Sequence, residues 1–393
     1  MTEPLINDGI EIPAMRTFLS VKAQKEQGKP VFGIYCCYAP LELFWAMNGV
    51  VAGLCGTSQK PISDAEAHLP TNLCPMVKAS YGFVITDTCP YYKMADVIVC
   101  ETTCDGKKKI FELIKDKKPT HIMELPISQN NELALNHWIK EVNMLKKWLE
   151  NKFNIIITDE NLENSIKEAN HRRELILEAY EYAKYQPTYI TNNEITELFG
   201  YAFYEVGEKA EIFLNNALEK LEKRKKDRCF MASNDSPRIL MAGCPIAGDS
   251  EKVYKIIEEA NASIVVSEAC SGIKPILGKI EENTGDPLKA IAERYFNIPC
   301  SIMYLNKRRL DQLDYLIKEF KPDVVIEIIL IACHTYNIES HTIEKHVTEK
   351  HGLPYLRIET DYSQGDIEQI RTKIEAVLEN INPNLKTKME QKV

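Results

Sequence analysis

The chain has 393 residues, 45% hydrophobic and 27% charged, which is enough apolar material for two globular domains of ordinary size. A formal net charge of -9 argues against a dedicated nucleic-acid binder, which presents a basic face. Residues 1–5 lack the basic-then-apolar pattern of an export signal, and no apolar run reaches about 18 residues, so a cytoplasmic protein without a membrane span is expected.

Residues 31–35 read as a short apolar strand running into Cys36-Cys37. Residues 40–47 have helical periodicity behind Pro40, Asn48-Gly49 break it, and residues 50–54 make the next strand, ending at Cys55. Further strands are expected at 81–85, 97–99 and 122–124, with a helix near 108–115 between the last two. This alternation predicts βαβ units on a parallel sheet, giving an N-terminal α/β domain over 1–130. From 131 to 230, long charged segments with Leu, Ile and Ala at helical spacing predict a helical region that packs on that domain and bridges to the next. The turn formers at 231–237 mark a linker. A second α/β domain, 231–393, follows. It has a strand at 238–242, a loop at 243–250 and a helix at 251–260. Strands come next at 263–266, 300–304, 324–331 and 355–359, then a closing helix at 366–378 and a Lys-rich tail expected to fray. The fold class is α/β: two Rossmann-like, doubly wound parallel-sheet domains with a helical connecting region and a cleft between them.

Twelve cysteines need an explanation in a chain expected to stay reduced, where a disulfide framework is not favoured. Several follow strand-like runs, among them Cys36, Cys100, Cys104, Cys270 and Cys333, and carboxyl ends of parallel strands are where such folds bind ligands. Thiols gathered from distant segments point to one soft-metal site, with an iron–sulfur cluster favoured, while the remaining cysteines serve as small core residues. Structural zinc uses cysteine pairs with about two to four residues between them, and only Cys100 and Cys104 come near that spacing. The close cysteine runs that hold ferredoxin-type clusters do not occur, so cluster ligands must come from separate loops. Cys333-His334 is an awkward nucleophile–base pair, because neighbours on an extended segment face opposite ways. His334 is instead a candidate proton donor beside a metal site, with a plain structural role as the alternative. The segment Gly243-Cys244-Pro245-Ile246-Ala247-Gly248 is either a tight turn or an anion cradle, and it fits neither a P-loop nor a dinucleotide fingerprint. Cys74-Pro75 and Cys89-Pro90 each set a thiol before a stiffening proline.

Five motifs in order carry a family resemblance. Cys74-Pro75-Met76-Val77-Lys78, Thr86-Asp87-Thr88-Cys89-Pro90-Tyr91, Glu101-Thr102-Thr103-Cys104-Asp105-Gly106, Ala332-Cys333-His334-Thr335-Tyr336 and Thr360-Asp361-Tyr362-Ser363 resemble the D-component type of the 2-hydroxyacyl-CoA dehydratase superfamily. The nearest branch is that of the double-cubane cluster proteins, and the resemblance runs from about residue 35 to residue 378. It implies two Rossmann-like domains with an iron–sulfur cluster between them. Dehydratase subunits bind one 4Fe–4S cubane through three cysteines, and Cys74, Cys104 and Cys333 stand in the matching motifs. The double-cubane branch carries an 8Fe–9S cluster and needs about twice as many thiolates. Cys36, Cys89 and Cys270 complete that set, with Cys300 in reserve and Cys55 as a further candidate. Cys37, Cys100, Cys229 and Cys244 are read as structural, although either member of Cys36-Cys37 suits a ligand. Lys78, Lys107 and Lys274 follow cluster cysteines closely and either tune the cluster or face solvent.

The resemblance also implies a partner, an ATP-dependent activator protein with its own 4Fe–4S cluster, and a homodimer is expected. The implied function is an oxidoreductase that takes low-potential electrons from the activator and reduces a small molecule. The alternatives are a lyase, as a subunit of a 2-hydroxyacyl-CoA dehydratase with one cubane, and an electron-storage or cluster-carrier protein without its own substrate.

Overall fold

The computed structural model describes Leu5, residues 13–205 and residues 207–382. Residues 1–4 of the segment read for an export signal, and the Lys-rich tail beyond Asn382, lie outside the described residues. The first sheet comprises β1 (Val31–Ile34), β2 (Val50–Gly53), β3 (Val97–Glu101) and β4 (Thr120–Met123), all parallel, in the order β2-β1-β3-β4. The second comprises β5 (Arg238–Gly243), β6 (Ser263–Ser267), β7 (Val324–Leu330) and β8 (Tyr355–Thr360), again parallel, in the order β6-β5-β7-β8. The topology is therefore duplicated. β3, β5 and β7 are buried along their whole length, as inner strands covered by helices on both faces require, whereas the edge strands β4 and β8 keep exposed positions.

In the first half the helices are α1 (Pro13–Glu26), α2 (Leu41–Trp45), α3 (Ile62–Ala65), α4 (Pro75–Ile85), α5 (Pro90–Met94) and α6 (Asp105–Ile114). The connecting region supplies α7 (Glu132–Phe153), α8 (Asp159–Glu181), α9 (Asn192–Tyr204) and α10 (Glu208–Lys226). Asn131, Thr158 and Thr191 start α7, α8 and α9, each accepting a backbone N–H from the first turn. In the second half α11 (Lys252–Glu259), α12 (Pro287–Phe296), α13 (Lys307–Phe320), α14 (His334–Lys345) and α15 (Ile367–Ile381) complete the fold. Among the described residues no helix is long and apolar enough to cross a membrane.

The connecting helices touch both sheets. Trp138, Val142 and Leu149 of α7 and Leu162 of α8 share one core with Phe32, Val51 and Val97 of the first sheet. Further along α8, Ile176 and Tyr180 join Leu198 of α9 and Leu214 of α10 in a second core with Leu240, Val265 and Val325. α12, from the second half, places Leu288, Ile291 and Tyr295 in the first core.

Two sequence expectations are corrected. Residues 81–85 are not a strand but the end of α4, because Pro75 at the first helical turn starts a mostly apolar helix that is buried nearly all round, from Met76 to Gly82 and at Val84. Residues 300–304 form turns, with a single parallel bridge between Ser128 and Tyr304, because the backbone of Cys300 turns back at once to Ile298 and Met303. α1 had no counterpart among the expected elements.

Candidate metal centre

The carboxyl ends of the two sheets face one another across a cavity of about 400 Å³. In each sheet the strand order reverses beside the first strand, and this switch point is where doubly wound folds place ligands. Cysteines stand at all four of the strand ends concerned. Cys36 and Cys37 follow β1, Cys104 follows β3, Cys244 follows β5 and Cys333 follows β7. Together with Cys55, Cys74, Cys270 and Cys300 they make nine cavity-lining thiols, and none of the chain's cysteines is in a disulfide.

Local chemistry explains the placements. Cys74, Cys104 and Cys333 are the N-caps of α4, α6 and α14, where backbone N–H groups of the first turn face the sulfurs. Cys104 Sγ accepts from Lys107 N at 3.4 Å. Gly243 turns Cys244 into the cavity with φ +99°, and a Cβ there would sit 2.1 Å from Ile328 O, so only glycine fits. Ala332, just before Cys333, has φ 58°, a strained left-handed turn for a residue with a Cβ.

The thiols fall into two groups. In one, Cys37 Sγ lies 3.6 Å from Cys270 Sγ, beside Cys36. The hydrogen bond from the Cys37 thiol lowers Cys36 to about 6, and a similar bond lowers Cys270, while Cys37 itself is pushed up by both neighbours. In the other group a hydrogen bond from Cys244 lowers Cys333 to about 6, with smaller help from Tyr336 N, the Thr335 hydroxyl and His334. Burial and then the charge of Cys333 raise Cys74 to about 12. Burial and then the charge of Cys270 likewise raise Cys300 to about 12. Each group thus pairs ready thiolates with thiols that need a bound cation before they ionise.

Lys107 is the cationic partner of the cavity wall. Its Nζ donates to Tyr35 O at 2.8 Å and lies 3.8 Å from Cys55 Sγ. Burial disfavours its charge, but Cys55 and Cys36 outweigh that and keep it protonated, well above the ordinary lysine value. Lys274 is buried one layer back, 2.8 Å from Glu268 Oε1 and 3.4 Å from the hydroxyl of the cavity-lining Tyr336. Lys78 points elsewhere, to Glu66 Oε1 at 2.6 Å and Thr71 O at 2.8 Å. His334 is exposed and does not line the cavity.

Of the expected ligands, Cys36, Cys74, Cys104, Cys270 and Cys333 and the reserve Cys300 line the cavity. Cys89 does not; it caps α5, accepts from Tyr92 N at 3.3 Å and packs in the core behind the first sheet. Cys37 and Cys244, read from sequence as structural, face the cavity, as does Cys55. Cys100, inside β3, and Cys229, beyond α10, do not.

The donor set fits a thiophilic metal group: buried sulfurs converge from both halves, one lysine is at hand, and the buried Thr103 hydroxyl on the cavity wall has no partner among the described residues. Fold and site together define a class, a two-domain α/β protein with a thiol-lined cavity at paired switch points. The chain belongs to the family described as 2-hydroxyglutaryl-CoA dehydratase, D-component, whose profile matches residues 36–381. It is 38% identical over 378 residues to YjiM of Escherichia coli (strain K12), provisionally named a dehydratase subunit, covering 96% of this chain and 98% of that one. It is 24% identical to the (R)-phenyllactyl-CoA dehydratase beta subunit of Clostridium sporogenes, over 92% of this chain and 94% of that one. The lactoyl-CoA dehydratase beta subunit of Anaerotignum propionicum is 22% identical, over 90% of this chain and 92% of that one.

Proposed function

We propose that the protein is an iron–sulfur reductase component that receives low-potential electrons from an ATP-dependent activator and reduces a small molecule. The observation that carries this reading is the convergence of nine thiols, in two groups, on one interdomain cavity. Two groups suit an 8Fe–9S double cubane better than a single 4Fe–4S cubane, which leaves most of these thiols unused. In this reading Cys36, Cys37 and Cys270 hold one side, and Cys74, Cys104, Cys244 and Cys333 supply the other. A cluster bound there supplies one-electron reduction at low potential.

The chain's own residues do the rest. Helix N-termini at Cys74, Cys104 and Cys333 and the Lys107 ammonium offset the thiolate charge. The wall built from Leu41, Val51, Phe199 and Phe203 keeps the cavity poor in water. Arg173 and Arg294 also reach the cavity wall, where Arg173 is tied to Glu42 and Arg294 to the carbonyls of Pro275, Leu277 and Gly278, so they brace the wall. His334, exposed at the first turn of α14 and outside the cavity lining, is given no contact with the substrate in this reading. Like chains form the dimer, and the cytoplasm is the compartment.

The second reading, a 2-hydroxyacyl-CoA dehydratase subunit with one cubane, is favoured by the dehydratase names of the relatives. Iron and acid-labile sulfide per chain, measured on anaerobically purified protein, separate the two. About eight irons with about nine sulfides support the first, and about four irons support the second. Near-zero iron after attempted reconstitution overturns both. An electron carrier is distinguished by cluster reduction without turnover of any added substrate.

A further inference from the structure

Away from the thiol cavity, Asp314 of α13 meets two histidines from the turn that follows α14. His346 Nε2 lies 2.7 Å and His351 Nε2 2.6 Å from the same carboxylate oxygen, Oδ1. Lys350 Nζ takes the other oxygen, Oδ2, at 2.6 Å. The three prospective ligand atoms all lie within 4.8 Å of one another.

The backbone accounts for this meeting. In an α-helix, with about 3.6 residues per turn, positions five apart diverge by roughly 140° around the axis. Here α14 gives way to a π-helical turn, His346–Lys350, whose wider winding brings positions 346 and 351 back to one side. An ordinary surface ion-pair cluster does not need such a turn, and π turns recur at functional sites.

We infer that Asp314, His346 and His351 bind one divalent transition-metal ion of the zinc class. Two imidazoles and one carboxylate are a nitrogen and oxygen set suited to zinc, with a water as fourth ligand. The side chains of His346, His351 and Asp314 are 14%, 18% and 27% exposed, sheltered enough to hold an ion and open enough to admit it. Lys350 acts as a positioning residue: by engaging Oδ2 it turns Oδ1 toward the imidazoles. The ion would tie α13 to the far end of the helix that Cys333 caps, and so stiffen the mount of one cavity thiol.

The test uses full-length, cluster-loaded protein titrated anaerobically with zinc sulfate. Bound zinc is counted after gel filtration, and its ligand shell is read by zinc-edge X-ray absorption. The expected result is a zinc ion with a nitrogen and oxygen shell, bound roughly a hundredfold more weakly in His346→Gln/His351→Gln and in Asp314→Asn. Lys350→Met keeps the nitrogen and oxygen shell but binds the ion roughly tenfold more weakly, and unchanged affinity there would remove Lys350 from the site. A sulfur-only shell, or no zinc on the wild-type protein, overturns the proposal whether or not the variants fold. Equal zinc on the wild type and a folded double variant overturns it as well.

Discussion

Cys104 and Cys89 are chemically the same device, a thiol capping a short helix through a backbone N–H, yet only Cys104 opens onto the interdomain cavity. The difference lies behind the cap. Cys104 follows an inner strand at its carboxyl end, whereas Cys89 follows a helix–turn on the flank of the first sheet. Removing one ligand from a buried metal site leaves the remaining thiolates uncompensated, so Cys104→Ala and Cys333→Ala should lose most of the iron bound by anaerobically purified protein. Cys89→Ala should keep it. Iron content per chain checks all three, and equal loss in Cys89→Ala would show that position to be a ligand after all. The cysteines at strand ends were legible in the sequence because an apolar run followed by a thiol marks a strand's carboxyl end. Cys37 and Cys244 were not legible as cavity residues. Alternation along a strand assigns only one member of Cys36-Cys37 to the site, but the chain turns immediately after β1 and both face inward. Cys244 depends on the positive φ of Gly243, which composition does not reveal.

Among the elements, β5, β6 and β7 are held under the cavity by one buried charge network. Arg309 of α13 donates to Glu268 Oε2 at 3.1 Å, Glu327 Oε1 at 2.7 Å and Glu339 Oε2 at 2.7 Å, and Lys274 also binds Glu268. Burial alone would raise Glu268, but Arg309 and Lys274 hold it below the ordinary carboxylate range. Arg309→Met should therefore cost about 3–5 kcal/mol in denaturant unfolding, chiefly by stranding Glu327 and Glu268 in the core. A loss below about 1 kcal/mol would mean that Lys274, on Glu268, and the Tyr355 hydroxyl, which donates to Glu327 Oε2 at 2.5 Å, suffice.

β4 offers a pH-dependent case. His121 packs its ring 5.2 Å from Trp148 of α7, its Nε2 has no partner among the described residues, and burial lowers it to about 4. An unfolded histidine titrates near about 6.5, so between those values only the unfolded chain takes the proton. His121 is then neutral in both states above about 6.5 and destabilises the fold increasingly as the pH falls toward about 4. Thermal melts should show Tm dropping over that window, with a shallower slope in His121→Phe; an unchanged slope would place the acid sensitivity elsewhere.

At the scale of the molecule, the two halves are joined both by the thiol cavity and by apolar packing. Cys36, Cys37, Cys55, Cys74 and Cys104 come from the first half, and Cys244, Cys270, Cys300 and Cys333 from the second. A metal group held by both sets binds only the folded arrangement and so stabilises it by mass action. The halves also share cores through α8 and α12, and direct bonds cross between them: Tyr38 to Ile298 O at 2.9 Å, Gln59 N to Asp249 Oδ2 at 2.7 Å and Tyr362 to Gly56 O at 3.1 Å. Two α/β halves of like architecture were readable from the alternation of apolar runs, but the strand order within each sheet was not. The sharing of cores was not, because helical periodicity gives a helix its apolar side without saying which sheet covers it. Stripping the metal with an iron chelator under anaerobic conditions should therefore lower Tm yet leave one cooperative calorimetric transition. Two separated transitions after chelation would show that the metal group, rather than α8 and α12, couples the halves.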